Sequence, residues 1–166
     1  MTLVVLVGGA RSGKSQLALE HADGAGAPVV FIATGEAGDE EMAERIQRHK
    51  AERSADWKTI EEPVDLVGAL ESVPDGATAI VDCLSLWVAN VIYTNGIEAR
   101  GEAAARVAAA RTGLTVAVTN EVGLGIVPDN EVARRYRDVL GRVNTMWVAV
   151  ADEAYFVVAG RALRLT

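Results

Sequence analysis

Several residue types are scarce in this chain of 166 residues, which has one cysteine (Cys83), three lysines, two histidines and 5% aromatic residues. A single thiol excludes a disulfide framework, and none is needed, because a chain of this length removes roughly 70% of its unfolded surface from water on folding. There is no apolar run of 18 residues and no charged segment followed by an apolar stretch and a cleavage site. A soluble protein of a reducing compartment, the cytoplasm by default, is therefore expected. Basic residues are outnumbered, 16 against 23 acidic, for a net charge of −7, and they do not cluster with aromatics. Non-specific nucleic-acid affinity comes mostly from neutralising phosphates, so nucleic acid is not expected as a partner. Repeats, low-complexity tracts and a glycine- or proline-rich hinge are also missing. One domain over residues 1–166 is expected.

What the chain does have is an alternation of strand-like and helix-like segments. Residues 2–7 form an unbroken β-branched and leucine run, which suits a strand buried on both faces of a parallel sheet. A helix over residues 14–25 follows, with Leu17, Ala18 and Ala22 at helical spacing and Gly24 and Gly26 as stop signals, and then a strand over 29–33. A second helix begins at Asp39, with Glu40 and Glu41 in its first turn and Arg48, Lys50 and Arg53 near its end, the charge order the helix dipole favours. Mixed structure is expected around residues 57–62, then a short helix started by Pro63 and Asp65, a turn at 74–76 and a strand over 78–81 ending in Asp82. A buried helix over 84–93, an amphipathic surface helix over 98–111, a strand over 115–119 and a glycine-containing loop over 120–128 come next. A long helix over 130–151 and two short strands, 155–158 and 162–165, close the chain as an antiparallel edge hairpin. Together these imply an open, mostly parallel α/β sheet with right-handed crossovers.

The segment Gly8-Gly9-Ala10-Arg11-Ser12-Gly13-Lys14-Ser15 fits the phosphate-loop pattern of glycine, four residues, glycine, lysine and a hydroxyl residue. It leaves a strand and opens a helix, so backbone N–H groups and the helix's positive end can surround phosphate oxygens. Lys14 would meet the β and γ phosphates, and Ser15 would offer its hydroxyl to Mg²⁺. Asp82, at the end of an apolar strand, has the place of a second Mg²⁺-organising carboxylate, or is a solvated turn or helix cap. Glu121 is a further acid at the same edge, able to orient a water, a substrate hydroxyl or a metal, or to do none of these. His21 reads as a surface or packing residue, and Trp57, Trp87 and Trp147 as core or interface residues. His49 shares a helix face with Arg45 and Arg53 and adjoins Arg48 and Lys50. Cations that close disfavour imidazolium, which leaves a ring nitrogen for nucleophilic attack; the competing reading is a solvated basic helix end. Arg134, Arg135, Arg137 and Arg142 either close over transferred phosphate or pair with acids on a solvated face.

The phosphate loop, Ile32-Ala33-Thr34, Arg45 to Lys50, Thr119 to Pro128, Arg137-Asp138 and Gly141-Arg142-Val143-Asn144 together closely resemble the bifunctional adenosylcobinamide kinase and adenosylcobinamide-phosphate guanylyltransferase family of cobalamin synthesis. The resemblance spans almost the whole chain. It implies a P-loop NTPase of RecA-like fold, assembled as a homotrimer. It also implies two reactions: phosphorylation of the aminopropanol hydroxyl of adenosylcobinamide by GTP or ATP, then transfer of GMP from GTP to that phosphate through a guanylylated histidine. Carried onto this chain, the catalytic residues are His49 and Lys14. The nucleotide contacts are Gly8, Gly9, Ala10, Arg11, Ser12, Gly13, Lys14, Ser15, Ala33, Thr34, Gly35, Lys50, Ala51, Glu52, Arg53, Glu61 and Asp82, with Ser15 and Asp82 also holding Mg²⁺. Two other readings stand beside it: a small-molecule kinase without a covalent GMP intermediate, and a non-catalytic nucleotide-gated module. No Asn-Lys-x-Asp guanine-reading tetrapeptide is present, which counts against an ordinary GTPase switch.

Overall fold

Apolar runs without a polar break become the interior strands. β1 (Thr2–Gly8), β4 (Thr78–Asp82) and β5 (Leu114–Asn120) are buried along nearly their whole length, as strands covered on both faces must be. The computed structural model describes residues 2–38, 40–51 and 53–165, without the side chains of Glu41, Met42, Arg45 and His49. Within these residues, β2 (Val29–Ala33), β3 (Lys58–Glu61), β6 (Glu153–Val158) and β7 (Arg161–Arg164) complete one sheet of order β3-β2-β4-β5-β1-β6-β7. Every neighbouring pair is parallel except β6 and β7, the antiparallel hairpin at one edge. The mostly parallel sheet and its edge hairpin match the expectation from the sequence.

Strand alternation sorts the side chains into two cores. Val4, Leu6, Phe31, Ile80, Val116 and Val118 face α1 (Lys14–Ala25), which contributes Ala18 and Ala22. Leu3, Val5, Ile32, Val81 and Ala117 face α3 (Leu66–Glu71), α4 (Leu84–Val91), α5 (Ile97–Ala110) and α6 (Glu131–Val150). Trp87 and Trp147 are buried in that second core, each removing roughly 150–250 Å² from water. The alanine stripe of α5 lets it approach α6 closely: a Cβ on Gly101 would already lie 3.2 Å from Val143 Cγ2. His21 packs at the surface beside the Tyr155 ring, 6.2 Å between centroids.

Several element ends differ from the sequence reading by one or two residues, and two differences have a cause in the sheet. The segment expected to be mixed is the edge strand β3, where Ile60 is the one apolar position in an otherwise exposed strand; with so little alternation, only the pairing of residues 58–61 with 30–33 defines it. Strand β6 starts two residues before its expected beginning, because Glu153 and Ala154 already pair with Val4 and Val5. Helix α2 (Glu40–Ala51) lies where a helix was expected, while Asp39, its proposed start, is outside the described residues.

The topology sets the geometry of the site. Strand β5 lies between β1 and β4, with Asn120 in register with Gly8 and Val118 with Asp82. The loop after β5 therefore emerges beside the loop after β1 at the carboxyl edge of the sheet, where α/β proteins bind ligands.

Candidate functional site

Between Gly8 and Lys14 the chain turns from β1 into α1. A Cβ on Gly8 would sit 2.2 Å from the carbonyl oxygen of Val157 on β6, so the adjacent strand itself demands glycine there. Arg11 (φ 55) and Gly13 (φ 100) adopt left-handed conformations, the kind of local geometry that turns successive N–H groups toward one anion. Gly13 is the N-cap of α1 and has no side chain with which to satisfy the first-turn amides; the positive end of the helix is left for a ligand anion. The hairpin turn braces the loop from outside. Gly160 N–H donates to Ser12 O at 2.9 Å, and Gly160 Cα lies 3.2 Å from where a Gly13 Cβ would be. Lys14 is 6% exposed, and its Nζ donates to Gly9 O at 2.6 Å and contacts Ser12 Oγ at 3.4 Å. The cation is thereby fixed over the loop.

Because Ile80 faces α1, so does Asp82 two residues on, and Ser15 Oγ donates to Asp82 Oδ2 at 3.4 Å. One hydroxyl and one carboxylate are hard oxygen donors. They suit Mg²⁺, which keeps waters and substrate oxygens instead of entering an all-protein cage. Among the described residues no group of three or more His, Cys, Asp or Glu could hold a metal on its own.

A cavity of about 570 Å³ opens from this pair toward α2, with Ala33, Gly35, Lys50, Arg53 and Glu61 in its lining. Lys50 donates to Glu61 at 2.5 Å, and that hydrogen bond and charge, with Arg53 nearby, hold the Glu61 carboxyl below its usual range. Arg53 lies 3.5 Å over the Phe31 ring and reaches Thr59 Oγ1 at 3.4 Å. Burial lowers the Arg53 pKa, against the opposing charges of Asp82 and Glu61. Its Nε is buried and has no hydrogen-bond partner among the described residues. An orphaned, charged donor in a cavity is costly unless a ligand oxygen takes it.

The structure thus brings Ser15, Ala33, Gly35, Lys50, Arg53, Glu61 and Asp82 around one cavity, at the mouth of the loop formed by residues 8–14. Thr34 is used otherwise. Its buried hydroxyl donates to Cys83 O at 2.7 Å and accepts from Cys83 N–H at 2.9 Å, while Asn90 Nδ2 donates to the carbonyls of Thr34 and Pro63. These bonds fix the cavity wall. Ala51 is an exposed residue at the end of α2 and does not line the cavity. Glu52 and the His49 side chain lie outside the described residues; the backbone of position 49 belongs to α2. The sequence reading missed Leu86 and Gln47, which also line the cavity. Leu86 lies in the first turn of α4, directly after the strand that ends in Asp82; nothing in its local sequence marks it for the cavity. Burial pushes the adjacent Cys83 thiol up to about 11.

At the end of β5, between the strands that carry Gly8 and Asp82, Glu121 N–H donates to Gly8 O at 3.1 Å, and Glu121 Oε1 accepts from Gly123 N–H. The end of β5 is locked from α6: Thr119 Oγ1 donates to Asn144 Oδ1 at 2.6 Å, and Asn144 Nδ2 donates to Asn120 O at 3.0 Å. Two of the four α6 arginines pair with acids and two hold backbone carbonyls. Arg137 pairs with Asp138 and Arg142 with Glu98, while Arg134 holds the carbonyls of Pro128 and Asp129 and Arg135 contacts Thr94 O.

The chain matches, over residues 4–165, the family described as cobinamide kinase / cobinamide phosphate guanyltransferase. It is 39% identical over 165 residues to the bifunctional adenosylcobalamin biosynthesis protein CobP of Pseudomonas aeruginosa, covering 97% of this chain and 95% of that protein. To the bifunctional adenosylcobalamin biosynthesis protein CobU of Salmonella typhimurium it is 38% identical over 181 residues, covering 98% of this chain and 99% of that one. In fold it is similar to an ATPase from the type III secretion system of pathogenic bacteria, with a TM-score of 0.60 at 10% identity, covering 98% of this chain and 56% of the other. The fold is that of a P-loop NTPase, as the loop, the sheet order and this likeness agree.

Proposed function

The chain belongs to the cobinamide kinase / cobinamide phosphate guanyltransferase family, and from that premise we propose that it carries out both reactions. It first phosphorylates adenosylcobinamide with GTP or ATP. It then transfers GMP from GTP to adenosylcobinamide phosphate, giving adenosyl-GDP-cobinamide. The observation that carries this reading is the junction of an anion-binding loop with a cavity lined by two α2-side cations, one of which has a buried donor without a partner among the described residues.

In the first reaction the loop amides and Lys14 hold the outer phosphates in line with the acceptor hydroxyl, where positioning and charge stabilisation supply most of the catalysis. Mg²⁺ on Ser15 and Asp82 would neutralise charge on the β and γ phosphates. In the second reaction His49, on the helix that carries Lys50 to this cavity, attacks the α-phosphorus. The bond to the bridging oxygen breaks, pyrophosphate leaves, and a phosphoramidate forms on the ring nitrogen. An oxygen of the acceptor phosphate then attacks the same phosphorus and the P–N bond breaks, restoring the imidazole. Arg53 and Lys50 are the cations available to the phosphates on this side.

We further propose that residues 1–166 act as one nucleotide-binding domain, in the cytoplasm, as a homotrimer with no nucleic-acid partner. Among the described residues no helix is long and apolar enough to cross a membrane. Tyr93, Leu124 and Ile126 are 79%, 82% and 97% exposed, and neighbouring copies covering them would account for so much exposed apolar surface.

The test is incubation with α-labelled GTP and Mg²⁺, followed by intact mass measurement and repeated with ATP. Acid-labile GMP on the wild type and none on His49→Ala is the expected result. Label retained by His49→Ala would remove His49 as the nucleophile, and γ-phosphate transfer with no covalent GMP would favour the simple kinase.

A further inference from the structure

The two proposed reactions make different demands on a base. An alcohol must lose its proton as it attacks the γ-phosphorus, whereas a phosphate oxygen is already ionised at neutral pH and needs no such help. A carboxylate serving the first reaction should therefore stand at the phosphate loop and away from the metal pair. Asp82 is engaged with Ser15, Glu61 with Lys50, and Glu62 with the N–H groups of Val64 and Asp65, while Glu36 lines the cavity from the loop between β2 and α2, on the α2 side and not at the start of the phosphate loop. Glu121 is different. Its backbone N–H donates to the first residue of the loop, directly after the strand that lies between those of the loop and of Asp82. Oε1 is held by Gly123 N–H, which sets the direction of the carboxylate, while Oε2 has no hydrogen-bond partner among the described residues. A Cβ at Gly123 would come within 2.9 Å of Oε1, so glycine at that position keeps the carboxylate seated.

We propose that Glu121 is the general base of the phosphoryl-transfer step, an inference that rests on the function proposed above. Glu121 accepts the proton of the acceptor hydroxyl as the alcohol oxygen bonds to the γ-phosphorus. The γ-phosphorus to bridging-oxygen bond breaks with its electron pair going to the nucleoside diphosphate, and the carboxyl later returns its proton to water. Asn144 and Thr119 are positioning residues for this carboxylate, since they hold the strand end from which it projects.

Glu121→Gln is the probe, because an amide oxygen still accepts from Gly123 N–H but the side chain no longer takes a proton. Two rates are measured on the same preparation: γ-phosphate transfer to adenosylcobinamide, and GMP transfer from GTP to preformed adenosylcobinamide phosphate. The ratio of the first kcat to the second should fall at least 100-fold, as loss of a general base predicts. The kinase pH profile should also lose its acidic limb. A ratio within threefold of wild type overturns the proposal, whether both activities persist or both decline together. A wild-type protein lacking either activity would instead count against the function proposed above, so the two failures are told apart.

Discussion

Replacing Asn144 and Thr119, singly and together, measures how firmly the end of β5 is held. Thr119 is fully buried, Asn144 is 7% exposed, and the two side chains share a 2.6 Å hydrogen bond. Asn144→Leu keeps the approximate shape but strands the Thr119 hydroxyl and the Asn120 carbonyl, at about 1–3 kcal/mol each. The Asn120 carbonyl is only partly buried, so solvent can offset part of its loss, and leucine is the better helix former by a few tenths of a kcal/mol. A net loss of about 2–4 kcal/mol is expected. Thr119→Val strands only the Asn144 carbonyl oxygen, at about 1–2 kcal/mol. In the double variant both members of the buried pair become apolar, so only the Asn120 carbonyl remains short of a partner, at about 1–2 kcal/mol. The double loss should therefore be smaller than the sum of the single losses by about 2–4 kcal/mol. Urea unfolding with linear extrapolation resolves that difference, provided m stays constant across the series. Losses that add to within about 0.5 kcal/mol would show that the two side chains do not act as a unit.

Other parts of the site give sharper contrasts. Gly8→Ala drives a Cβ into the Val157 carbonyl, whereas at Gly9 nothing described lies within 4 Å; the first should cost more than about 3 kcal/mol and the second less than about 0.5 kcal/mol in thermal unfolding. Asp82→Asn should raise the Mg²⁺ concentration at half-maximal kinase activity about tenfold or more while binding of metal-free nucleotide changes little, and an unchanged metal titration would make Asp82 purely structural. Alkaline stability reports Cys83: burial pushes its thiol up to about 11, so the unfolded chain loses that proton first, and unfolding free energy should fall between about pH 9 and 11. Tyr136, raised to about 12 by burial and by Cys83, steepens the decline above pH 10. Cys83→Ser should flatten the curve between pH 9 and 11, and an unchanged slope would assign the decline elsewhere.

The parts of this site that could be read from sequence are those in which residue identity is dictated locally. A loop that must place amides, an ammonium and a hydroxyl around phosphate leaves few choices for Gly8, Gly13, Lys14 and Ser15, and the buried parallel strands are continuous apolar runs. The cavity wall was hidden for the opposite reason. Thr34 and Asn90 partner backbone groups 49 and 56 residues away, and a threonine or asparagine alone in sequence carries no mark of a distant partner. The Gly141-Arg142-Val143-Asn144 segment was recognisable as a pattern, yet its physical reason, the lock on β5, needed the fold. The hairpin was expected from its turn, but its bracing of the phosphate loop through Gly160 depends on β6 pairing with β1, which short-range patterning does not express.

The position of β5 also bears on how one nucleotide could serve two reactions. Across the sheet edge, the cavity bounded by Lys50, Arg53 and Asp82 lies on the β2–β4 side, and Glu121 adjoins Gly8 at the end of β5. On the proposed function, a triphosphate on the loop that follows β1 would meet Glu121 at the end of the neighbouring β5 and, beyond it, the Asp82 cavity that opens toward α2. On that reading each nucleophile then belongs to its own element: His49 to α2, and the acceptor alcohol to the Glu121 side. This arrangement requires no second nucleotide site. It also makes the two sides separable by mutation, so Arg53→Ala should depress GMP transfer more than phosphoryl transfer, with Glu121→Gln doing the reverse. Measuring both rates for both variants tests the division directly, and a single pattern shared by the two variants would mean that the two sides do not act independently.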